Sequence, residues 1–219
     1  MTKDVRVLIA EALGSLVLLV GGGLAIVAGG DTIAIAFGFG LALMAGLYAF
    51  GEISGGHFNP AVSFAAFLDK RIDATTFLKY VAAQVVGAVV GGYILLAASS
   101  EAAVARTATV NGAELSNVNL VLLEALFTAF FVMVILRVTS SDAYGSSAFG
   151  AISFTLIMAH LALVPITGAS LNPARSLGSA VAGSHFDDMI LYIVGPLLGA
   201  AVGWFIHDLL SADEHADEE

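Results

Sequence analysis

Apolar residues gather in six long stretches, at about residues 5–28, 33–53, 76–98, 118–138, 146–166 and 189–210. Each is close to the ~20 residues a helix needs to cross ~30 Å of hydrocarbon. Lipid offers the backbone no hydrogen-bond partner, so a crossing segment must pair its N–H and C=O groups internally, as a helix does. Two shorter apolar segments, about 59–68 and 172–182, reach only roughly 15 Å as helices at ~1.5 Å per residue. They are too short to span and too apolar for ordinary surface loops, which predicts re-entrant half-helices. The expected fold class is an all-α membrane protein of six transmembrane helices and two re-entrant half-helices.

The pattern repeats. Ser54-Gly55-Gly56-His57-Phe58-Asn59-Pro60-Ala61 is similar to Thr167-Gly168-Ala169-Ser170-Leu171-Asn172-Pro173-Ala174, 113 residues further on. Glu11-Ala12-Leu13 and Glu124-Ala125-Leu126 stand at the same offset, and Gly87 and Gly91 match Gly199 and Gly203 at 112. Each half reads as span, span, half-helix, span. Three spans per half is odd, so the second half enters the membrane upside down. This gives one channel domain over about 1–211, with repeats at about 5–98 and 118–210, and a tail at 212–219. Inverted repeats place a shared site near the midplane, where the two half-helices meet. The glycines Gly87, Gly91, Gly92, Gly199 and Gly203 have the spacing that lets helices cross closely.

Asn is a favoured N-cap and Pro a favoured first helical residue. Asn59-Pro60-Ala61 and Asn172-Pro173-Ala174 therefore each start a helix at the deepest point of a re-entrant segment. Each amide has two donors to offer a passing oxygen. Each helix N-terminus carries about +0.5 elementary charge, so two facing termini make an electropositive centre. The stretches Gly55-Gly56-His57 and Gly168-Ala169-Ser170 precede the caps. Non-helical backbone at this depth is tolerated where it lines a cavity or is buried in protein, and its carbonyls form a candidate ladder of acceptors along a pore.

Composition agrees with a lipid-covered chain. Hydrophobic residues make up 58% and charged residues 12%, against roughly 25% charged in soluble domains. There are no cysteines, which excludes disulfides and thiol redox chemistry. The net charge of −10 owes much to the tail residues Asp213, Glu214, Asp217, Glu218 and Glu219, read as a solvated terminus. No basic stripe suggests a nucleic-acid partner. The apolar run at 5–28 is too long for a signal-peptide core. With a cytoplasmic N-terminus, Lys3, Arg6, Lys70, Arg71, Lys79 and Arg137 fall inside, and only Arg106 and Arg175 fall outside. That bias places both termini in the cytoplasm.

The runs Ser-Gly-Gly-His-Phe-Asn-Pro-Ala-Val-Ser at 54–63 and Thr-Gly-Ala-Ser-Leu-Asn-Pro-Ala-Arg-Ser at 167–176 carry a specific resemblance, supported by Val194-Gly195-Pro196. By these motifs the chain resembles the major intrinsic protein family, the aquaporins and glycerol facilitators, over nearly its whole length apart from the tail. The resemblance implies a multi-pass protein of the cell membrane and a homotetramer with one pore per subunit. It implies a second constriction near the outer mouth made by Phe39, His160, Ala169 and Arg175. Phe, His, a small residue and Arg look like the water-selective subgroup. The glycerol-selective subgroup typically replaces the His with Gly and has Asp where this chain has Ser176. Ala180 also fits the water channels. One departure is Ile193 before Val194-Gly195-Pro196, where water channels often have Trp.

Each site residue has a functional and a plainer reading. A buried Arg near the membrane is costly and usually functional, so Arg175 is expected to donate to water and repel cations rather than snorkel to headgroups. His160 is expected to donate or accept at the constriction, and Phe39 to narrow its wall; the plain reading of both is core packing. His57 is expected to fix its loop rather than act as a pH gate. Glu11 and Glu124 share the repeat offset with the loops, which favours bracing of loop N–H groups over proton relay. Glu52 has no acidic mate, since Pro165 stands there; an acidic cytoplasmic vestibule is one reading.

The expected function is passive, osmotically driven conduction of water. A glycerol or small-neutral-solute facilitator is the nearest alternative. An ion-coupled secondary transporter also uses broken helices but needs an ionisable midplane site, whereas neutral Asn occupies both tips. No Ser/His/Asp order or metal-ligand cluster suggests an enzyme, and no cofactor is expected.

Overall fold

The computed structural model describes residues 1–211; the acidic tail at 212–219, including His215, lies outside the described residues. Six helices are long and apolar enough to cross a membrane. In chain order the α-helices are α1 (Lys3–Val27), α2 (Thr32–Ser54), α3 (Pro60–Leu68), α4 (Ala74–Ala97), α5 (Glu101–Ala105), α6 (Asn117–Thr139), α7 (Ala148–Thr167), α8 (Pro173–Gly183) and α9 (Met189–Ser211). A short 3-10 segment at Asp142–Ser147 precedes α7.

Polar caps set where the spans begin. Thr2, Asp31, Asp73 and Ser116 each accept an N–H from the first turn of the helix they start, satisfying a donor that has no intrahelical partner. Capping by Thr2 starts α1 at Lys3, two residues before the apolar run itself begins. The five-residue α5 was not anticipated. It is too short for a periodic signal, and Ser100 caps it by accepting from the Ala103 N–H.

The packing repeats with inversion. α1 lies against α2 and α4, as α6 lies against α7 and α9. Half-helix α3 packs on α9, and α8 packs on α4, so each half-helix rests on the third span of the other half. Large apolar side chains such as Ile33, Leu41, Tyr48, Leu122, Phe154 and Phe205 face outward. Glu11, Gln84, Glu124, His160 and Arg175 are buried. Apolar outside and polar inside is the arrangement lipid demands of a bundle that holds ionisable side chains.

Glycines set the closest helix approaches. A Cβ on Gly87 would run into the Ala12 carbonyl, and one on Gly199 into the Ala125 carbonyl, the same contact made once in each repeat. Adding a side chain here must push backbone away. Gly87→Val should lower stability by about 2–3 kcal/mol, read as a drop in melting temperature in detergent. Gly150→Ala, where the space is open, should leave it unchanged or slightly raised. Equal melting of the Gly87 variant and the parent protein would refute the close-approach role.

Candidate functional site

The site grows from two loops that leave their helices at membrane depth. α2 ends on Gly55 with φ 90, and α7 on Gly168 with φ 78, the left-handed termination glycine favours. Positive φ recurs at Gly56 and Phe58 and at their mates Ala169 and Leu171. For the non-glycine residues this costs roughly 1–2 kcal/mol each, so the surroundings must hold it.

Two buried carboxylates do much of the holding. Glu11 accepts hydrogen bonds from the His57 N–H at 3.0 Å, the Phe58 N–H at 2.8 Å, the Ser54 hydroxyl at 2.6 Å and the Gln84 amide at 2.7 Å. Glu124 accepts from the Ser170 N–H at 3.0 Å, the Leu171 N–H at 2.9 Å and the Thr167 hydroxyl at 2.7 Å. The Tyr80 hydroxyl donates to the Ser54 carbonyl at 2.6 Å, and Tyr192 to the Thr167 carbonyl at 2.7 Å. The tyrosine pair went unrecognised in the sequence, although its 112-residue spacing matches that of the paired glycines. Gln84 has no mate, because Pro196 stands at that offset. Its amide also donates to the Ser63 hydroxyl at 2.8 Å, which lies 3.0 Å from His57 Nδ1. In the second half Thr109 donates to Ser176 at 3.0 Å, and Ser176 lies 2.6 Å from Ser170 Oγ.

The half-helix tips are laced together. Asn59 Oδ1 accepts the Ala61 N–H, and Asn172 Oδ1 accepts the Ala174 and Arg175 N–H groups. Asn59 Nδ2 donates to the Leu171 carbonyl at 2.8 Å, and Asn172 Nδ2 donates to the Phe58 carbonyl at 2.9 Å. One of the two amide hydrogens of each Asn is therefore spent on the opposite loop, which leaves one to offer. Sequence reasoning allotted both to a passing molecule.

Toward one mouth, Phe39, His160 and Arg175 come together. The Phe39 and His160 rings stack with centroids 4.7 Å apart, and Arg175 Cζ lies 4.8 Å from the Phe39 centroid. Arg175 Nη1 donates to the Thr107 carbonyl at 2.8 Å and to Ser179 Oγ at 3.3 Å. Thr107 follows α5, so this loop folds inward to fix the guanidinium; nothing in its sequence pattern marked it. His160 Nδ1 lies 3.0 Å from the Leu156 carbonyl and must donate to it. In the neutral ring Nε2 is then an acceptor. Among the described residues, His160 Nε2 and Arg175 Nε have no partner although both are buried.

Two cavities connect these groups. A waist of about 20 Å³ is bordered by Phe39, His57, Asn59, His160, Asn172 and Arg175, with Ser170 and apolar residues. About 10–15 Å³ of such space suffices for one water. Beyond His57 a wider cavity of about 470 Å³ opens, bordered by Leu47, Gly55, Gly56, Val62, Arg71, Ile135 and Ile152 among others. Glu52 borders it and is exposed. Gly168 and Ala169 border neither cavity, and Ala169 is fully buried.

Six crossing helices around two opposed half-helices, with a water-sized waist between the tips, define a membrane channel of inverted-repeat type. Residues 1–207 match the family model for the major intrinsic protein. The chain is 38% identical to a glycerol uptake facilitator protein-like 6 of Lactiplantibacillus plantarum, over 95% of this chain and all of that one. It is also 38% identical to an aquaporin Z of Brucella melitensis, over 90% of this chain and 94% of that one. The structure of the aquaglyceroporin from Plasmodium falciparum superimposes with a TM-score of 0.85 at 25% identity, covering 94% of this chain and 96% of that one. The chain belongs to the major intrinsic protein family, whose members are channels for water and small solutes such as glycerol.

The carboxylate network carries a direct test. Glu11→Gln or Glu124→Gln replaces one acceptor oxygen with a donor that faces N–H and O–H groups. Each change should cost about 2–4 kcal/mol, with the Glu11 variant worse because four donors converge there rather than three. Unfolding midpoints in denaturing detergent would measure it; variants that unfold with the parent protein would leave the loops braced by something else.

Proposed function

We propose that this chain is a passive water channel of the cell membrane, with residues 1–211 forming a single channel domain. The observation that carries the reading is the waist: about 20 Å³ between Asn59, Asn172, His160, Phe39 and Arg175 has room for about one water at a time. A water in single file must give up neighbours, and the lining groups replace them. The remaining amide hydrogens of Asn59 and Asn172 donate to its oxygen at the midplane. His160 Nε2 and Arg175 receive it at the constriction, and carbonyls of the re-entrant loops accept its hydrogens on either side.

Ions are refused by the same groups. The N-termini of α3 and α8 face one another across the asparagines, each with about +0.5 elementary charge, and Arg175 adds a full positive charge at the mouth. Selectivity by diameter, lining donors and half-helix dipoles is the general account of aquaporin-type pores. Lys3, Arg6, Lys70, Arg71, Lys79 and Arg137 support a cytoplasmic face at the termini. There Lys79 Nζ lies 3.2 Å from Asp4, and Arg71 pairs with Asp69 at 2.6 Å. The family resemblance supports a homotetramer with one pore per subunit.

A glycerol facilitator is the second reading, favoured by the relative named as glycerol uptake facilitator protein-like. Against it stand the His160–Phe39 stack and the small waist, which leave no room for a three-carbon solute without movement. Neutral asparagines at both tips disfavour ion coupling.

Stopped-flow light scattering of proteoliposomes separates the readings. Sucrose should drive fast shrinkage through the channel, and glycerol should be retained as an osmolyte. Arg175→Val should raise glycerol permeation about tenfold or more while water flow persists, because it removes both bulk and charge at the narrowest point. Rapid glycerol entry into vesicles of the unaltered protein would transfer the assignment to the facilitators.

A further inference from the structure

Gly21, Gly22 and Gly23 stand in the middle of α1 and meet three different neighbours. A Cβ on Gly21 would lie 2.5 Å from the Ala42 Cβ, and one on Gly23 would collide with Leu95 Cδ1. A Cβ on Gly22 would fall on Cγ, Cδ1 and Cδ2 of Phe39. These atoms belong to the root of the ring, so the clash is not relieved by swinging a flexible tip. Phe39 is 1% exposed, and its ring already touches His160 and Arg175. A ring displaced from α1 therefore moves toward the waist it borders.

We propose that Gly22 is a positioning residue that sets the width of the constriction, letting the Phe39 ring lie back against the α1 backbone and hold its distance from His160 and Arg175. The inference rests on the reading of Phe39, His160 and Arg175 as the selectivity constriction. The inverted repeat supplies an internal control. The mate of Gly22 is Ile135 and the mate of Phe39 is Ile152, 113 residues on, and both border the 470 Å³ cavity. Where the cavity is wide, α6 carries the four-carbon side chain of Ile135 and α7 the aliphatic Ile152. Where the waist is narrow, an aromatic ring takes the space and α1 carries no side chain there.

A double-mutant cycle tests the contact. Gly22→Ala should lower water permeability per reconstituted channel at least about fivefold. Phe39→Val removes the ring, and in that background Gly22→Ala should change permeability less than about twofold. Water and glycerol flux are both recorded. If the unaltered protein passes glycerol as fast as water, the water-selective assignment fails, and the cycle is read on glycerol with the same expectation. If it passes neither, the assignment as a channel fails, and the cycle is read in melting temperature in detergent, where the alanine should destabilise only when the ring is present. Gly22→Ala at parental flux, or an equal penalty with and without the ring in flux or melting, overturns the proposal.

Discussion

Backbone that leaves its helix in the middle of a membrane must find hydrogen-bond partners inside the protein, and in this chain two carboxylates supply them. Glu11 and Glu124 each take two successive loop N–H groups and the hydroxyl that closes the preceding helix. With the N–H groups turned to the carboxylates, the loop carbonyls are free to turn elsewhere. The positive φ values at Gly55, Gly56 and Phe58, and at Gly168, Ala169 and Leu171, are the conformation that this division requires. Without the carboxylates these N–H groups would be left buried and without partners.

The asparagine lacing depends on that bracing. Asn59 and Asn172 each donate to a carbonyl of the opposite loop, and those carbonyls belong to Phe58 and Leu171, whose own N–H groups are held by the carboxylates. Each half therefore fixes the other's cap. The half-helices also cross over to pack on the opposite repeat, α3 on α9 and α8 on α4. Neither half has a complete tip alone, so the two repeats must assemble as a unit before any pore exists between them.

Features with a local physical cause were legible in the sequence. Span length follows from bilayer thickness, half-helix starts follow from Asn-Pro capping, and inversion follows from an odd number of spans at a constant offset. The repeat also contained Tyr80 and Tyr192, but an aromatic in an apolar run reads as packing until its hydroxyl partner is known. Thr107 was out of reach for a different reason. It acts through its backbone carbonyl, which any residue would supply, so its identity carries no signal. The split use of each asparagine amide was equally hidden, because it depends on how far apart the two tips settle. Gly22 resembled every other glycine in α1 until the ring of Phe39 was found against it.

The repeat also shows how a symmetric scaffold acquires a one-sided constriction. Each position of the expected filter has a mate at the other mouth: Ile152 for Phe39, Leu47 for His160, Gly56 for Ala169 and Val62 for Arg175. All four mates border the 470 Å³ cavity. The backbone frame is shared, as the matched φ values and matched carboxylate bonds attest, so the difference between a 20 Å³ waist and a wide vestibule lies mainly in side chains. Duplicating the cluster would place a second arginine at the other mouth and narrow the passage at both ends. The aromatic comes from α2 of the first repeat and the imidazole and guanidinium from α7 and α8 of the second, and all three gather at one mouth. Both halves keep the braced loop and the capped half-helix, the parts that meet between the tips. Symmetry is retained where the backbone must be held and abandoned in the side chains that border the narrow waist.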